Sequence, residues 1–171
     1  MYRHTLALTV LLATSAAMAH EAHHHPASPQ PANGASSTAP APTVALDGVS
    51  VQDCWIRNMP AGLPSGGYFV VRNTSGQAVG LEGVSSPAYG MTMLHQTVTQ
   101  NGMARMEHVD TVQVPAQGEL VFKPGSYHAM LEKPASGLVA GQSVPLTFHF
   151  QGGGHVQAQC VLRPASATSA H

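Results

Sequence analysis

Between residues 44 and 163 the chain alternates short apolar–polar runs with turn residues. Val49, Val51, Cys54 and Ile56 frame a first predicted strand. Residues 68–73 form a second, closed by Thr74-Ser75-Gly76, and residues 78–84 a third. Met91, Met93 and His95 occupy alternate positions, as do Thr92, Leu94 and Gln96, so the two sets face opposite sides of one strand. Asn101-Gly102 is a two-residue hairpin signal and predicts a strand over 103–109 folded back on the previous one. Further strands are predicted at 111–114, 119–122, 127–131, 144–151 and 156–162, with Gly152-Gly153-Gly154 as a hairpin loop. No segment carries a long apolar period of 3.6 residues; a short helical turn over 60–67 is the one helical element the pattern allows. Short strands at this spacing predict an all-β, antiparallel sandwich or barrel.

The two ends differ from this body. Residues 1–19 read as a secretory signal: Arg3 precedes an apolar stretch from Leu6 to Leu12, and Ala17-Met18-Ala19 supplies small residues at a cleavage site. The apolar stretch is too short to span a bilayer, and no second run of spanning length follows. Residues 20–43 are rich in His, Pro, Ala and Ser and read as a flexible tail or linker. Residues 164–171 read as a disordered C-terminal tail. The predicted folded body is a single domain over 44–163, large enough for one small β-domain.

Charge narrows the function classes. The formal net charge is −1, and loss of Arg3 with the signal makes it one unit more negative. Arg57, Arg72, Arg105, Lys123, Lys133 and Arg163 are scattered, whereas nucleic-acid binding needs a clustered basic patch. Asp and Glu are few, which argues against calcium. No Ser-His-Asp order, carboxylate pair or phosphate-cradling loop stands out. The two cysteines, Cys54 and Cys160, lie 106 residues apart with no CxxC spacing. An even count in an exported chain favours a disulfide, with a thiol copper site as the competing reading.

The residues with the clearest chemistry are His95, Met106, His128 and Met130. Ten residues separate the first two, 21 the next two, and one the last pair. Thioether sulfur is a soft donor and selects Cu(I) over harder divalent ions, so two His with two Met point to monovalent copper. His128 and Met130 share a strand face, Met91, Met93 and His95 share another, and Met106 shares one with His108. Met91 and Met93 are secondary candidates, as alternative ligands or an entry path. His20, His23, His24 and His25 offer imidazoles suited to Cu(II) or Zn(II).

The pattern His95-x10-Met106-x21-His128-x-Met130 matches the signature of the PCu(A)C family of periplasmic copper chaperones. The stretch from Asn101 to Met106, the stretch Val114-Pro115-Ala116-Gln117-Gly118, and the block from Phe122 to Leu131 also resemble that family. So do the first two predicted strands. The resemblance covers residues 44–163. It implies a cupredoxin-like, Greek-key β-sandwich that holds one Cu(I) through those two His and two Met. It also implies a periplasmic, non-enzymatic monomer that hands copper to the Cu-A subunit of cytochrome c oxidase or to another copper chaperone. Cys54 stands where the family commonly has alanine, with Cys160 as its expected mate.

Four other classes compete. A copper storage or tolerance protein would use the same ligands. A copper enzyme could chelate metal with the amine and ring of His20, but no second histidine can be assigned to that brace. A blue-copper electron carrier needs an essential Cys thiolate, and the local spacing of His155 and Cys160 does not match. A structural or adhesive β-domain leaves the ligand spacing unexplained.

Overall fold

The computed structural model describes residues 44–170. The predicted signal and the segment holding His20, His23, His24 and His25 lie outside the described residues. Eleven strands follow in order: β1 (Val44–Ala45), β2 (Val49–Arg57), β3 (Ser65–Asn73), β4 (Val79–Ser85), β5 (Tyr89–Gln100), β6 (Met103–His108), β7 (Val112–Val114), β8 (Gly118–Phe122), β9 (Tyr127–Pro134), β10 (Ser143–Phe150) and β11 (Gly154–Arg163). A 3-10 turn, Gln151–Gly153, joins the last two. Among the described residues no helix is long and apolar enough to cross a membrane.

The strands form one sheet in the order β6-β5-β9-β3-β2-β11-β10-β4-β7, with β1 beside β11 and β8 beside β3. The sheet folds over on itself. Phe69 of β3 stacks on Phe122 of β8 at 4.3 Å and meets Phe148 of β10 edge-on at 4.6 Å, although β10 lies three places away in strand order. These rings, with Ile56, Val71, Leu81, Leu94, Leu131, Leu146, Phe150 and Leu162, make one continuous buried core. Each such side chain contributes about 1.5–3 kcal/mol of burial.

Three features depart from the sequence-based expectation. First, the sheet is mixed, not wholly antiparallel. The tight turn makes β11 antiparallel to β10, and β11 then lies parallel to both β2 and β1. Second, the region over 60–67 is not helical. Leu63 N–H donates to the Pro60 carbonyl, and β3 already begins at Ser65. Gly66 and Gly67 are poor strand formers, yet both pair with β2 on one side and β9 on the other, so tertiary pairing overrides propensity. Third, residues 164–170 hold no strand but are tied to the body: Arg57 Nε donates to the Ala167 carbonyl at 2.8 Å, and the Arg163 guanidinium donates to the Ala170 carbonyl.

A bulge in β2 matters for the site. Gln52 pairs with Val70 and Trp55 with Tyr68, so β2 uses one residue more than β3, and Asp53 takes a positive φ of 51°. The extra residue re-aims the following side chains. Ile56 points into the core, while Trp55 and Arg57 turn to the opposite face of the sheet. Cys54, at the bulge, is joined to Cys160 of β11 by a disulfide. No cysteine is free, so neither a thiol copper site nor a blue-copper thiolate exists in this fold.

Candidate metal centre

Parity places the candidate ligands on the sheet face away from the core. Leu94, Ala129 and Leu131 are buried on the inner side, so their neighbours His95, His128 and Met130 point outward. The register aligns them. His95 of β5 sits directly opposite His128 of β9, and Met93 directly opposite Met130. On the other side of β5, Met106 of β6 faces Thr97, two residues from His95, and His108 faces His95 itself.

The result is a row of rings across five strands. Trp55 and Tyr68 lie 4.5 Å apart between centroids, Tyr68 and His128 6.5 Å, His128 and His95 5.9 Å, and His95 and His108 5.6 Å. Arg57 lies over the Trp55 and Tyr68 rings at 5.9 and 5.3 Å, a cation–π arrangement. Burial pushes the Tyr68 hydroxyl pKa up, and the Arg57 charge partly offsets this.

A cavity of about 240 Å³ opens beside the row, lined by Met106, His128 and Met130 together with Arg57, Met59 and Tyr68. Its floor includes Gly66, which pairs with Arg57 on one side and Met130 on the other. A Cβ added there would lie 2.6 Å from the Tyr68 hydroxyl, so only glycine leaves both the ring and the cavity in place.

The histidines are prepared differently. His128 is 8% exposed, and its Nδ1 lies 3.1 Å from the Ser126 carbonyl oxygen. A carbonyl only accepts, so Nδ1 carries the proton and Nε2 keeps its lone pair. His95 Nδ1 is buried with no hydrogen-bond partner, the condition of a nitrogen that gains most from a ligand. Burial pulls the His95 pKa below the ordinary histidine value, aided by His128 and His108 and opposed by Glu132. His95 is therefore neutral, and able to coordinate, over a wider pH range than a free imidazole. Met106, on edge strand β6, is 63% exposed, whereas Met130 is half-buried.

Among the described residues no three His, Cys, Asp or Glu side chains converge to hold a metal. Beside the imidazoles of His95 and His128, this face presents the thioethers of Met106 and Met130, donors whose chemistry suits soft copper.

The family model described as "Putative lipoprotein LpqE-like" matches residues 49–162. The chain belongs to the LpqE-like family. This is the PCuAC family, in agreement with the resemblance drawn from the ligand spacing. The chain is 31% identical over 118 residues to "Putative lipoprotein Lxx21020" of Leifsonia xyli, covering 68% of this chain and 70% of that protein. Among solved structures, the copper-bound PCuAC domain from PmoF2 superposes with a TM-score of 0.59 at 19% identity, covering 70% of this chain and 96% of that one. CuI-DR1885 from Deinococcus radiodurans superposes with a TM-score of 0.56 at 25% identity, covering 70% and 80%.

Within this PCuAC-family chain, the four primary candidates and Met93 share one face. Met91 lies one step further, opposite Glu132. Sequence reasoning missed Trp55, Arg57, Met59 and Tyr68 as companions of the site. The β2 bulge that turns the first two outward leaves no clear mark on the polar–apolar pattern. His108 was visible only as a neighbour of Met106. The hairpin offered a stronger signal: a two-residue turn at Asn101-Gly102 pairs Gln100 with Met103, and counting back pairs His95 with His108.

Proposed function

We propose that this protein is an exported copper carrier that holds one Cu(I) with His95, His128, Met106 and Met130 and releases it to a partner protein. The observation that carries the reading is the His95–His128 pair, with His128 lining a cavity that also takes the thioethers of Met106 and Met130 beside Met59. A ring nitrogen about 2.0 Å from an ion puts its ring centroid about 3.1 Å away, so two imidazoles sharing one ion have centroids about 4.5–6.3 Å apart. The 5.9 Å spacing of His95 and His128 falls inside that range. Two neutral imidazoles and two thioethers add no charge to the ion, which favours Cu(I) over Cu(II). The copper named in the PmoF2 and DR1885 structures supports the same metal.

Transfer, not turnover, is the expected chemistry. Met106 sits on an edge strand and is well exposed, so it is the donor an incoming ligand replaces first. Met130 and His128 lie deeper and let go last. The receiving protein is a Cu-A subunit of cytochrome c oxidase or a further copper chaperone, the compartment is the periplasm, and the His20–His25 segment is an accessory Cu(II) site. A competition titration against a Cu(I) chelator tests the core of this reading. Met106→Ala and Met130→Ala should each weaken Cu(I) binding. Unchanged affinity in both would reject it.

A further inference from the structure

We propose that His95 and His108 form a second, nitrogen-donor site for Cu(II) on the outer side of the same face, sharing His95 with the Cu(I) site. The inference rests on the copper reading above. It begins from an asymmetry around His95. On the β9 side of His95 lies His128, which with Met130 and with Met106 of β6 lines the cavity; neither His95 nor His108 is part of that lining. On the other side lies His108, directly opposite in the hairpin, with ring centroids 5.6 Å apart, also within the span of two imidazoles on one ion.

His108 is prepared as a ligand. Its Nε2 lies 3.1 Å from Asp110 Oδ1. The carboxylate accepts, so Nε2 holds the proton and Nδ1 keeps its lone pair, the arrangement in which a carboxylate orients a metal-binding histidine. The His108 side chain is 54% exposed, leaving room for water or a small oxygen ligand on the ion. Nitrogen donors with open positions suit Cu(II), which favours tetragonal geometry, and the thioether pocket suits Cu(I).

Sharing has a consequence. A neutral imidazole has one lone pair to give, so His95 serves one ion at a time. The two occupancies exclude each other, and the face carries one copper in either oxidation state.

The test uses the full chain with His20, His23, His24 and His25 all changed to Ala, so that Cu(II) on that segment does not obscure the result. Cu(II), added as its glycine complex, is titrated and followed by electron paramagnetic resonance, with and without His108→Ala or His108→Met. Both substitutions should weaken Cu(II) binding by about tenfold or more. His108→Ala should leave Cu(I) affinity within about threefold of the parent, and one equivalent of Cu(I) under anaerobic conditions should replace the protein-bound Cu(II) spectrum with that of the glycine complex. Wild-type Cu(II) affinity in both variants, or a protein-bound Cu(II) spectrum that persists beside bound Cu(I), overturns the proposal. The two readings fail separately. Loss of Cu(II) binding in the His108 variants with unchanged Cu(I) affinity in Met106→Ala and Met130→Ala would leave the His95–His108 site standing without the Cu(I) carrier.

Discussion

Replacing both bridged cysteines, Cys54→Ala with Cys160→Ala, should remove a large share of the stability while sparing the metal site. The bridge spans 106 residues and encloses everything from the β2 bulge to the middle of β11. In the chain-entropy model a closed loop of that length constrains the unfolded state by about 4.7 kcal/mol. At 0.05–0.15 kcal/mol per residue, the body has a total stability of roughly 6–19 kcal/mol. The bridge is therefore a quarter or more of it. Cys160 is fully buried in the core, so its truncation adds a small cavity cost. The expected loss is about 3–5 kcal/mol in urea unfolding, with a fall in Tm of roughly 10–20 °C. Alanine variants are preferable to chemical reduction, because freed thiols would themselves bind Cu(I). Below the lowered Tm, Cu(I) affinity should stay within about threefold of the parent, since neither sulfur lines the cavity. A stability loss below about 1 kcal/mol would refute the reasoning, because the bridge would then constrain nothing the β2–β11 ladder does not already hold.

Met106→Ala should leave stability within about 0.5 kcal/mol of wild type, as expected at an exposed edge position, so any loss of Cu(I) affinity is a ligand effect. Phe148→Ala should cost about 3–5 kcal/mol in denaturant unfolding, because it empties the contact between the two halves of the folded sheet. Gly66→Ala should displace Tyr68 and weaken Cu(I) binding in the same competition assay, with Gly83→Ala, a strand glycine outside the cavity lining and with open space around its Cβ, as the comparison. In the metal-free protein, His95 should titrate below the ordinary value near 6.5 by NMR, and His108→Ala should move its midpoint up. Because the folded pKa is the lower one, the stability tied to neutral His95 is full above about pH 6.5 and is lost as pH falls from there through the depressed value. A His95 midpoint at or above 6.5 would contradict that assignment.

The parts of the site that were legible in the sequence are those set by local parity. Ala129 is fully buried between His128 and Met130, as a two-residue period requires. The Asn101-Gly102 turn and the β5–β6 hairpin were readable for the same reason: a short turn dictates its own register. What escaped depends on distant partners. The parallel β2–β11 pairing follows from where the last strand inserts, which no local pattern encodes. The bulge at Asp53 turns Trp55 and Arg57 toward the site, yet apolar Trp55 reads as a core position in any strand pattern. The pairing of Gly66 with both Arg57 and Met130 likewise emerges only when β2, β3 and β9 lie side by side.

Trp55 is the sole tryptophan and begins the ring row that leads through Tyr68 to His128, so its fluorescence should report copper binding. The most direct test of the central claim is X-ray absorption at the copper edge of the protein loaded with one equivalent of Cu(I). The account predicts a mixed shell of nitrogen and sulfur neighbours, with the sulfur contribution falling by about half in Met106→Ala and again by about half in Met130→Ala. A shell of nitrogen and oxygen alone, or a sulfur contribution unchanged in both variants, would contradict it.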